Sequence, residues 1–338
     1  MKRAVAILGL ILSAAAVVWL GAQLDLERAW AALRGARPEL IGLAAVLYTS
    51  LFVLRGLRWS RLLKPVAPVS IPSATEVFLI GFVANNVLPA RLGDVARGIV
   101  LARQAALPTV ASLSSVVLER IFDGLTVVFF LSVALEAAPP SADWVRSFQT
   151  MAATAFTLAL ALCVAIAVAR TQTLAIAHRM LTFLPVRMRF ALQSLLTRIA
   201  DGLMSLSSRR LFAEVCFLSL VIWSVEVLVY IVIAKAFGFS VPAFGLVVVM
   251  AVLTLGLTAP SAPAFVGVFE GLIVSAIGLY GISGSEALAF AVVLHAVHFL
   301  PGSILGLWAA TKSGIELSSI PSSPEPTKRN NSVGAHAR

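Results

Sequence analysis

Three charged side chains interrupt an apolar stretch of the sequence that is long enough to cross a bilayer. The stretch covers residues 110–136, and the charges are Glu119, Arg120 and Asp123. The two carboxylates lie four residues apart, so on a helix they share one face, with Arg120 beside them. A charge at the centre of a bilayer costs about 2.5–3.5 kcal/mol on insertion scales. This face is therefore expected to point into the protein, either as the polar wall of a cavity or as an ion-pair network that holds helices together.

Basic residues surround a break in the apolar pattern at residues 85–94, which read NNVLPARLGD. Arginine suits phosphate because its planar guanidinium makes paired hydrogen bonds. A helix that starts near Asp94 would also direct free N–H groups at the break. We therefore predict that Arg55, Arg58, Arg91 and Arg97 gather there to bind a phosphate group. The alternative is ordinary anchoring of basic residues at the cytoplasmic ends of helices.

A second break, at residues 260–267, reads PSAPAFVG and is followed by Glu270. Both breaks contain Pro-Ala-x-x-Gly, and an apolar span with embedded polar residues follows each. This arrangement predicts an inverted repeat, which in many transporters places a binding site near the bilayer midplane. In the second half, Glu226, His295 and His298 are candidates for proton coupling, because a histidine titrates near neutral pH. A hydrogen-bonded packing role is the alternative for the histidines.

The predicted site is a groove for a lipid headgroup rather than a catalytic centre. The sequence has no phosphate-binding loop, dinucleotide fingerprint or nucleophile motif, so no catalytic residue and no cofactor is expected. No metal site is expected either, because the two histidines have no clear third ligand nearby. The residues assigned to the headgroup site are Arg58, Asn85, Asn86, Arg91, Asp94, Arg97, Glu119, Arg120, Asp123 and Glu270.

The composition requires that these residues be positioned by membrane helices. Of the 338 residues, 59% are hydrophobic and only 12% are charged, whereas soluble domains carry about 25% charged residues. Since a transmembrane helix needs about 20 apolar residues, we predict an all-α polytopic membrane protein. It should have about six full transmembrane helices, with a re-entrant helical hairpin at each break. The net charge is +10, and the basic residues lie between apolar segments. This placement favours lipid headgroups over nucleic acid as the partner.

The motifs together resemble the transmembrane-region family of lysylphosphatidylglycerol synthases, which are flippase-like membrane proteins. The resemblance covers roughly residues 5–312 and is carried by the pattern from Asn85 to Arg97. The pair Arg58-Trp59, the cluster at 119–123 and the segment 260–270 follow in the same order as in that family. The second break departs from the family pattern Pro-Gly-Gly-x-Gly-x-x-Glu, because Ala264 and Phe265 stand where glycines are usual.

The resemblance implies a protein that moves an amphipathic lipid across the inner membrane, such as a modified phospholipid, a hopanoid or a polyprenyl-linked glycolipid. The soluble aminoacyl-transfer domain of the fused relatives is expected to be absent, so no enzymatic activity is expected. Two alternatives remain: an enzyme acting on a lipid phosphate, or a non-transporting scaffold of a lipid-modifying complex. Membrane lipids are the expected partners, with a separately encoded lipid-modifying enzyme and self-association left open.

The expected organisation follows from the repeat and from the distribution of basic residues. A transmembrane domain of residues 1–312 should contain repeat one at about 39–136 and repeat two at about 211–310. The basic segment 170–210 is predicted to hold an amphipathic cytoplasmic helix, and residues 313–338 a disordered cytoplasmic tail. The excess of Lys and Arg near the spans places both termini in the cytoplasm.

Overall fold

The architecture is entirely helical within the part of the chain that a computed structural model describes. Residues 1–24, which include the apolar run 4–20 as the first candidate span, residues 88–91 of the first break and residues 315–338 of the tail lie outside that part. The described residues are 25–87, 92–138, 143–169, 171–172, 179, 186–258 and 263–314.

Eleven α-helices and two 3₁₀ turns, Met204–Ser207 and Pro263–Phe265, lie in these ranges. The helices are α1 Leu26–Gly35, α2 Pro38–Leu63, α3 Ile71–Val87, α4 Leu92–Gln104, α5 Thr109–Ala137, α6 Trp144–Val168, α7 Val186–Gly202, α8 Arg209–Ala236, α9 Ala243–Gly256, α10 Val268–Gly278 and α11 Gly284–Lys312.

Four helices, α2, α6, α8 and α11, are long and apolar enough to cross a membrane, with 25 to 29 residues each. At about 1.5 Å per residue, such helices exceed the ~30 Å of hydrocarbon that they must cross. Helix α5 is equally long, at 29 residues, but carries the three charges noted above. The chain is therefore a multi-pass membrane protein, and the predicted all-α polytopic class is confirmed.

Two pairs of helices are too short to cross the hydrocarbon one helix at a time. Helices α3 and α4 have 17 and 13 residues, and α9 and α10 have 14 and 11. The members of each pair pack against each other across the predicted breaks. Each pair is therefore built as a hairpin. Irregular backbone at membrane depth is tolerated only where protein surrounds it.

Contacts between connections define two sides of the molecule. On the first side, the Tyr280 hydroxyl donates to the Ala138 carbonyl at 3.3 Å, and the Asp25 N–H donates to the Ser285 hydroxyl at 3.0 Å. On the second side, Arg61 pairs with Glu214 at 3.7 Å, and Lys312 with Glu76 at 3.7 Å. The α3–α4 hairpin therefore starts from the second side and the α9–α10 hairpin from the first.

Among α2–α5 and α8–α11, the same set of helix pairs is in contact when the two groups of four helices are exchanged. Helix α2 packs against α8, and the exchange turns this contact into itself because it swaps these two helices. Contacts of α3 with α2, α4 and α11 correspond to contacts of α9 with α8, α10 and α5. The remaining pairs match in the same way, α4–α5 with α10–α11, α2–α11 with α8–α5, and α2–α5 with α8–α11. An inverted repeat requires this pairing of contacts.

We predict that Gly56 is needed for the close packing of α2 on α3. A Cβ atom at Gly56 would lie 2.8 Å from the Thr75 Cα, which is backbone that cannot rotate away. Gly56→Leu should lower the free energy of unfolding by about 1–3 kcal/mol or more through overpacking. Thermal unfolding in detergent, followed by tryptophan fluorescence, measures this. The control is Gly42→Leu on the same helix, where a Cβ meets nothing within 4 Å; equal effects of both substitutions would contradict the packing.

We predict that the second side faces the cytoplasm, because the 170–210 segment contains seven Lys or Arg residues and its described part, residues 186–210, leads into the start of α8 on that side. In a background without Cys163 and Cys216, Ser240→Cys on the first side should react with an impermeant maleimide in intact cells. Lys64→Cys on the second side should react only after permeabilisation. Both positions are exposed. The reverse pattern of labelling would overturn this orientation.

Candidate functional site

A cavity of about 410 Å³ lies between the two halves, beside both hairpin breaks. Its lining comes from nine of the helices, including all four hairpin arms. The polar and titratable lining residues are Tyr48, Arg55, Asn85, Asn86, Asp94, Arg97, Arg120, Asp123, Trp223, Glu226, Tyr230, Thr254, Thr258, His295 and His298. The rest of the wall is apolar and rich in phenylalanine, as expected for a site that binds an amphipathic molecule.

Arg58 joins α2 to α5 and α8 beneath the cavity. Its side chain is fully buried, and its guanidinium lies 2.7 Å from Asp123 and 3.3 Å from Glu119. It also donates to the Ser219 hydroxyl at 3.0 Å. Because a buried charge must be paired to be tolerated, these contacts make Arg58 a bridge between helices. Arg58 is not among the residues that line the cavity.

Arg97 is also almost fully buried, at 1% exposed, but it lies at the cavity wall. Its guanidinium contacts Asp94 at 3.2 Å and Glu119 at 3.0 Å. The ring centroid of Trp59 lies 4.9 Å from the guanidinium carbon. Arg97 therefore holds α4 against α5 and α2.

Arg120 is the arginine of this group with the largest accessible surface. Its side chain is 39% exposed, and its guanidinium contacts Glu119 at 3.2 Å, Asp123 at 3.5 Å and Asp94 at 3.8 Å. The same three carboxylates hold Arg58 and Arg97. Three arginines and three carboxylates therefore form one charge-balanced network, which we call the first-half network, and only Arg120 presents a guanidinium broadly to the cavity.

A second group of polar residues, which we call the second-half cluster, lies across the cavity. Glu226 accepts a hydrogen bond from Arg55 at 3.0 Å, and its other oxygen lies 2.8 Å from the His298 Nε2 atom. His295 Nδ1 lies 2.6 Å from Glu270. Arg55 was expected near the first hairpin with Arg58, but its carboxylate partner belongs to the second half.

The second break holds its backbone in conformations that glycine normally adopts. Ala264 and Phe265 have φ angles of 57° and 59°, and Gly267 has 82°. The Glu270 carboxylate accepts a hydrogen bond from the Gly267 N–H at 2.7 Å, which caps the start of α10. The left-handed conformation explains physically why glycines are usual at the positions of Ala264 and Phe265.

The asparagines of the first break have structural partners. The Asn85 side-chain oxygen accepts from the Asp94 N–H at 3.2 Å, so it caps the start of α4. Asn86 donates to the Ser303 hydroxyl at 3.0 Å and so joins α3 to α11. Both also line the cavity. Arg91, which was assigned to the same site, lies outside the described residues.

Sequence reasoning did not assign the aromatic residues that complete the site. The Trp223 N–H donates to Asp123 at 3.1 Å, and the ring centroid of Tyr48 lies 4.3 Å from that of His298. Trp223 precedes Glu226 by three residues, so their shared helix face was a usable signal. Tyr48 precedes Arg55 by seven residues and shares its face in the same way. Within the described ranges, no three His, Cys, Asp or Glu side chains are arranged to hold a metal ion.

We predict that removing the buried Arg58 charge destabilises the fold. Arg58→Gln would leave Glu119 and Asp123 with less compensation in an apolar interior, which costs about 3–5 kcal/mol of unfolding free energy. The matched control is Arg61→Gln, one turn later on α2, because Arg61 is 40% exposed and its pair with Glu214 is 3.7 Å long. That control should cost at most about 1 kcal/mol. Thermal unfolding in detergent measures both, and equal losses would contradict the bridging role.

Comparison with known proteins supports a common architecture. A UPF0104 membrane protein of Methanothermobacter thermautotrophicus is 25% identical over 307 residues, which cover 85% of this chain and 87% of that protein. Glycosyltransferase AglD of Haloferax volcanii is 26% identical over 332 residues, covering 88% of this chain. The aligned part is 52% of AglD, so this chain spans about half the length of that relative. No solved structure matches the chain.

The family assignment comes from a family model rather than from a single relative. The model described as "Lysylphosphatidylglycerol synthase TM region" matches residues 6–306. The match includes both hairpins, the first-half network and the second-half cluster. Since it covers most of the sequence, this chain belongs to the lysylphosphatidylglycerol synthase transmembrane-region family.

Proposed function

We propose that this protein translocates an amphipathic, phosphate-bearing lipid across the inner membrane. The observation that carries the proposal is the polar cavity between two hairpins that start from opposite sides. Arg120 supplies its most accessible cation, at 39% exposure. A phosphate oxygen placed beside Arg120 would replace its two longer ion pairs, which are 3.5 Å to Asp123 and 3.8 Å to Asp94.

The charge balance of the first-half network suits a headgroup in transit. Arg58 and Arg97 are held by carboxylates, so they stabilise the wall and do not themselves capture a phosphate. A site with several free arginines would bind an anion tightly and release it slowly, whereas a translocator must release its cargo on both sides. One accessible arginine beside competing carboxylates meets that requirement, because binding is an exchange of partners.

The arrangement of the halves supports alternating access. Discontinuous helices in inverted halves place binding sites near the midplane in many transporters, and rocking of one half against the other exposes the site to each side. Here each hairpin break borders the cavity from its own side. We infer that movement of the first hairpin opens the cavity to the second side, and movement of the second hairpin opens it to the first.

An apolar groove beside the cavity offers a place for the lipid tails. It has a volume of about 350 Å³ between α5, α8 and α9. Ser224 and Val227 of this groove flank the positions of Trp223 and Glu226 in the cavity wall. A headgroup in the cavity could therefore keep its acyl chains in apolar surroundings, which avoids the cost of about 0.8 kcal/mol for each CH₂ group exposed to water. The groove residues are Phe129, Phe130, Val133, Ser224, Val227, Ala243, Phe244 and Val247.

The names of the relatives do not identify the lipid. One is called a membrane protein and the other a glycosyltransferase, so a modified phospholipid, a hopanoid and a polyprenyl-linked glycolipid all stay candidate cargo. We propose transport without chemical change, with both termini in the cytoplasm. A separately encoded lipid-modifying enzyme would then supply or use the cargo.

We predict that Arg120 is required for lipid movement. Purified protein in liposomes, with fluorescent anionic, zwitterionic or polyprenyl-phosphate lipids in both leaflets, should expose inner-leaflet probes to dithionite. Arg120→Gln should reduce the rate for phosphate-bearing probes by about tenfold or more, since a charge-assisted hydrogen bond contributes about 1.5–3 kcal/mol. The control is Arg103→Gln, because Arg103 is exposed outside the cavity.

The interpretation requires that both variants fold as the wild type does, which thermal unfolding checks. Loss of movement in Arg120→Gln alone supports the headgroup site and identifies the class of headgroup. Equal rates in all three proteins would refute the role of Arg120. Absence of movement for every lipid, with or without a pH gradient, would overturn the translocator and favour a scaffold or a membrane enzyme.

A further inference from the structure

The hydrogen bonds of His298 require one more proton than a neutral imidazole and an ionised Glu226 carry together. Its Nδ1 atom lies 2.8 Å from the Leu294 carbonyl oxygen, and its Nε2 atom lies 2.8 Å from Glu226 Oε1. A carbonyl oxygen only accepts hydrogen bonds, as does a carboxylate. A neutral imidazole has a single N–H and can satisfy only one of these contacts. The extra proton must therefore reside on the imidazole or on Glu226.

The charges of the second-half cluster favour the same extra proton. Arg55 contributes one positive charge, while Glu226 and Glu270 contribute two negative charges. With both histidines neutral, the cluster has a net charge of −1, and one added proton makes it neutral. The first-half network is already balanced. Because an uncompensated charge is costly in an apolar interior, the proton that the His298 geometry requires is also the one that neutralises this side of the cavity.

Charged and titratable groups face Arg55, Glu226 and His298 from several helices, and those of α5 are Asp123 and Arg120, which interact with Arg55, and in the case of Asp123 with Glu226 as well. Helix α2 presents Tyr48 and Arg55, α8 presents Glu226 and Tyr230, and α10 presents Glu270, which pairs with His295 of α11 itself. On α3, Asn86 is bound to Ser303, and Glu76 is bound to Lys312 at the far end of α11. The charged residues of α1 are Glu27, Arg28 and Arg34, at the other end of α11.

We propose that Arg55, Glu226 and His298 form a proton-binding site, and that a phosphate-bearing headgroup enters the cavity only when this site is protonated. The proposal rests on the proposed function and adds its coupling ion. An anionic headgroup adds negative charge to the cavity. If the site has lost its proton, the headgroup meets a cluster that is already negative, and its binding is opposed. Each bound headgroup is therefore accompanied by one proton, which returns to water when the headgroup leaves.

The protonation state can be measured without any transport assay. In full-length protein with ¹⁵N-labelled histidine, at pH 7.5, NMR should show both ring nitrogens of His298 protonated, with the signal assigned by its loss in His298→Gln. If Glu226 holds the proton instead, infrared spectroscopy should show a carboxylic acid band that Glu226→Gln removes. A neutral His298 together with an ionised Glu226 would overturn the proposal.

The coupling is tested by binding of a fluorescent short-chain phosphatidylglycerol to the protein in detergent between pH 6 and pH 9. Above the pH at which the site loses its proton, wild-type affinity should fall by up to about tenfold per pH unit, since the competent fraction falls in that proportion. His298→Gln keeps an amide that donates to Glu226 but cannot titrate, so its affinity should not follow pH in this way. The control is His178→Gln, in the polar segment 170–210, which should behave as the wild type.

The two proposals fail in different ways. Wild-type affinity that does not change with pH, or a His298→Gln variant that follows pH as the wild type does, would overturn the proton site even if lipids move in liposomes. Absence of lipid movement with pH-dependent binding that requires His298 would overturn translocation but leave the proton-binding site in place.

Discussion

Neutralisation of buried charge is the constraint on which the rest of this structure depends. Arg58 is fully buried, and its contacts with Glu119, Asp123 and Ser219 join α2, α5 and α8. Losing one partner would leave an uncompensated charge in a nearly dry interior. The positions of these three helices are therefore coupled. Separating them would break buried ion pairs at a high cost in free energy, and this cost stabilises the walls of the cavity between the halves.

The two sides of the cavity use different chemistry for the same purpose. The first-half network pairs three arginines with three carboxylates. The second-half cluster pairs its two carboxylates with Arg55 and with two histidines. One wall is therefore neutralised by arginines alone, whereas the other also uses imidazoles. In the proposed function, a headgroup between them would contact Arg120 on the first wall and face the proposed proton-binding site on the second.

The fold was largely predictable from sequence, because apolar length and the Pro-Ala-x-x-Gly breaks are local signals. The inward direction of Glu119, Arg120 and Asp123 was predictable as well, from the cost of exposing charge to lipid. Their partners were not, because Arg58 lies 65 residues from Asp123 and Arg55 lies 171 residues from Glu226. Such pairings depend on which helix faces meet after packing, and a single sequence contains no direct record of that.

The conformation of Ala264 and Phe265 has an energetic consequence for motion. Residues other than glycine that are held at positive φ cost about 1–3 kcal/mol each, and surrounding structure must hold them there. About 1.4 kcal/mol corresponds to a tenfold change in an equilibrium constant. Taken alone, the strain of these two residues therefore lowers the population of the observed backbone conformation by about one to four powers of ten. Phe265 also lines the cavity. A movement of the second break that returned Ala264 and Phe265 to negative φ would release this strain, so the strain reduces the work needed to move this part of the cavity wall.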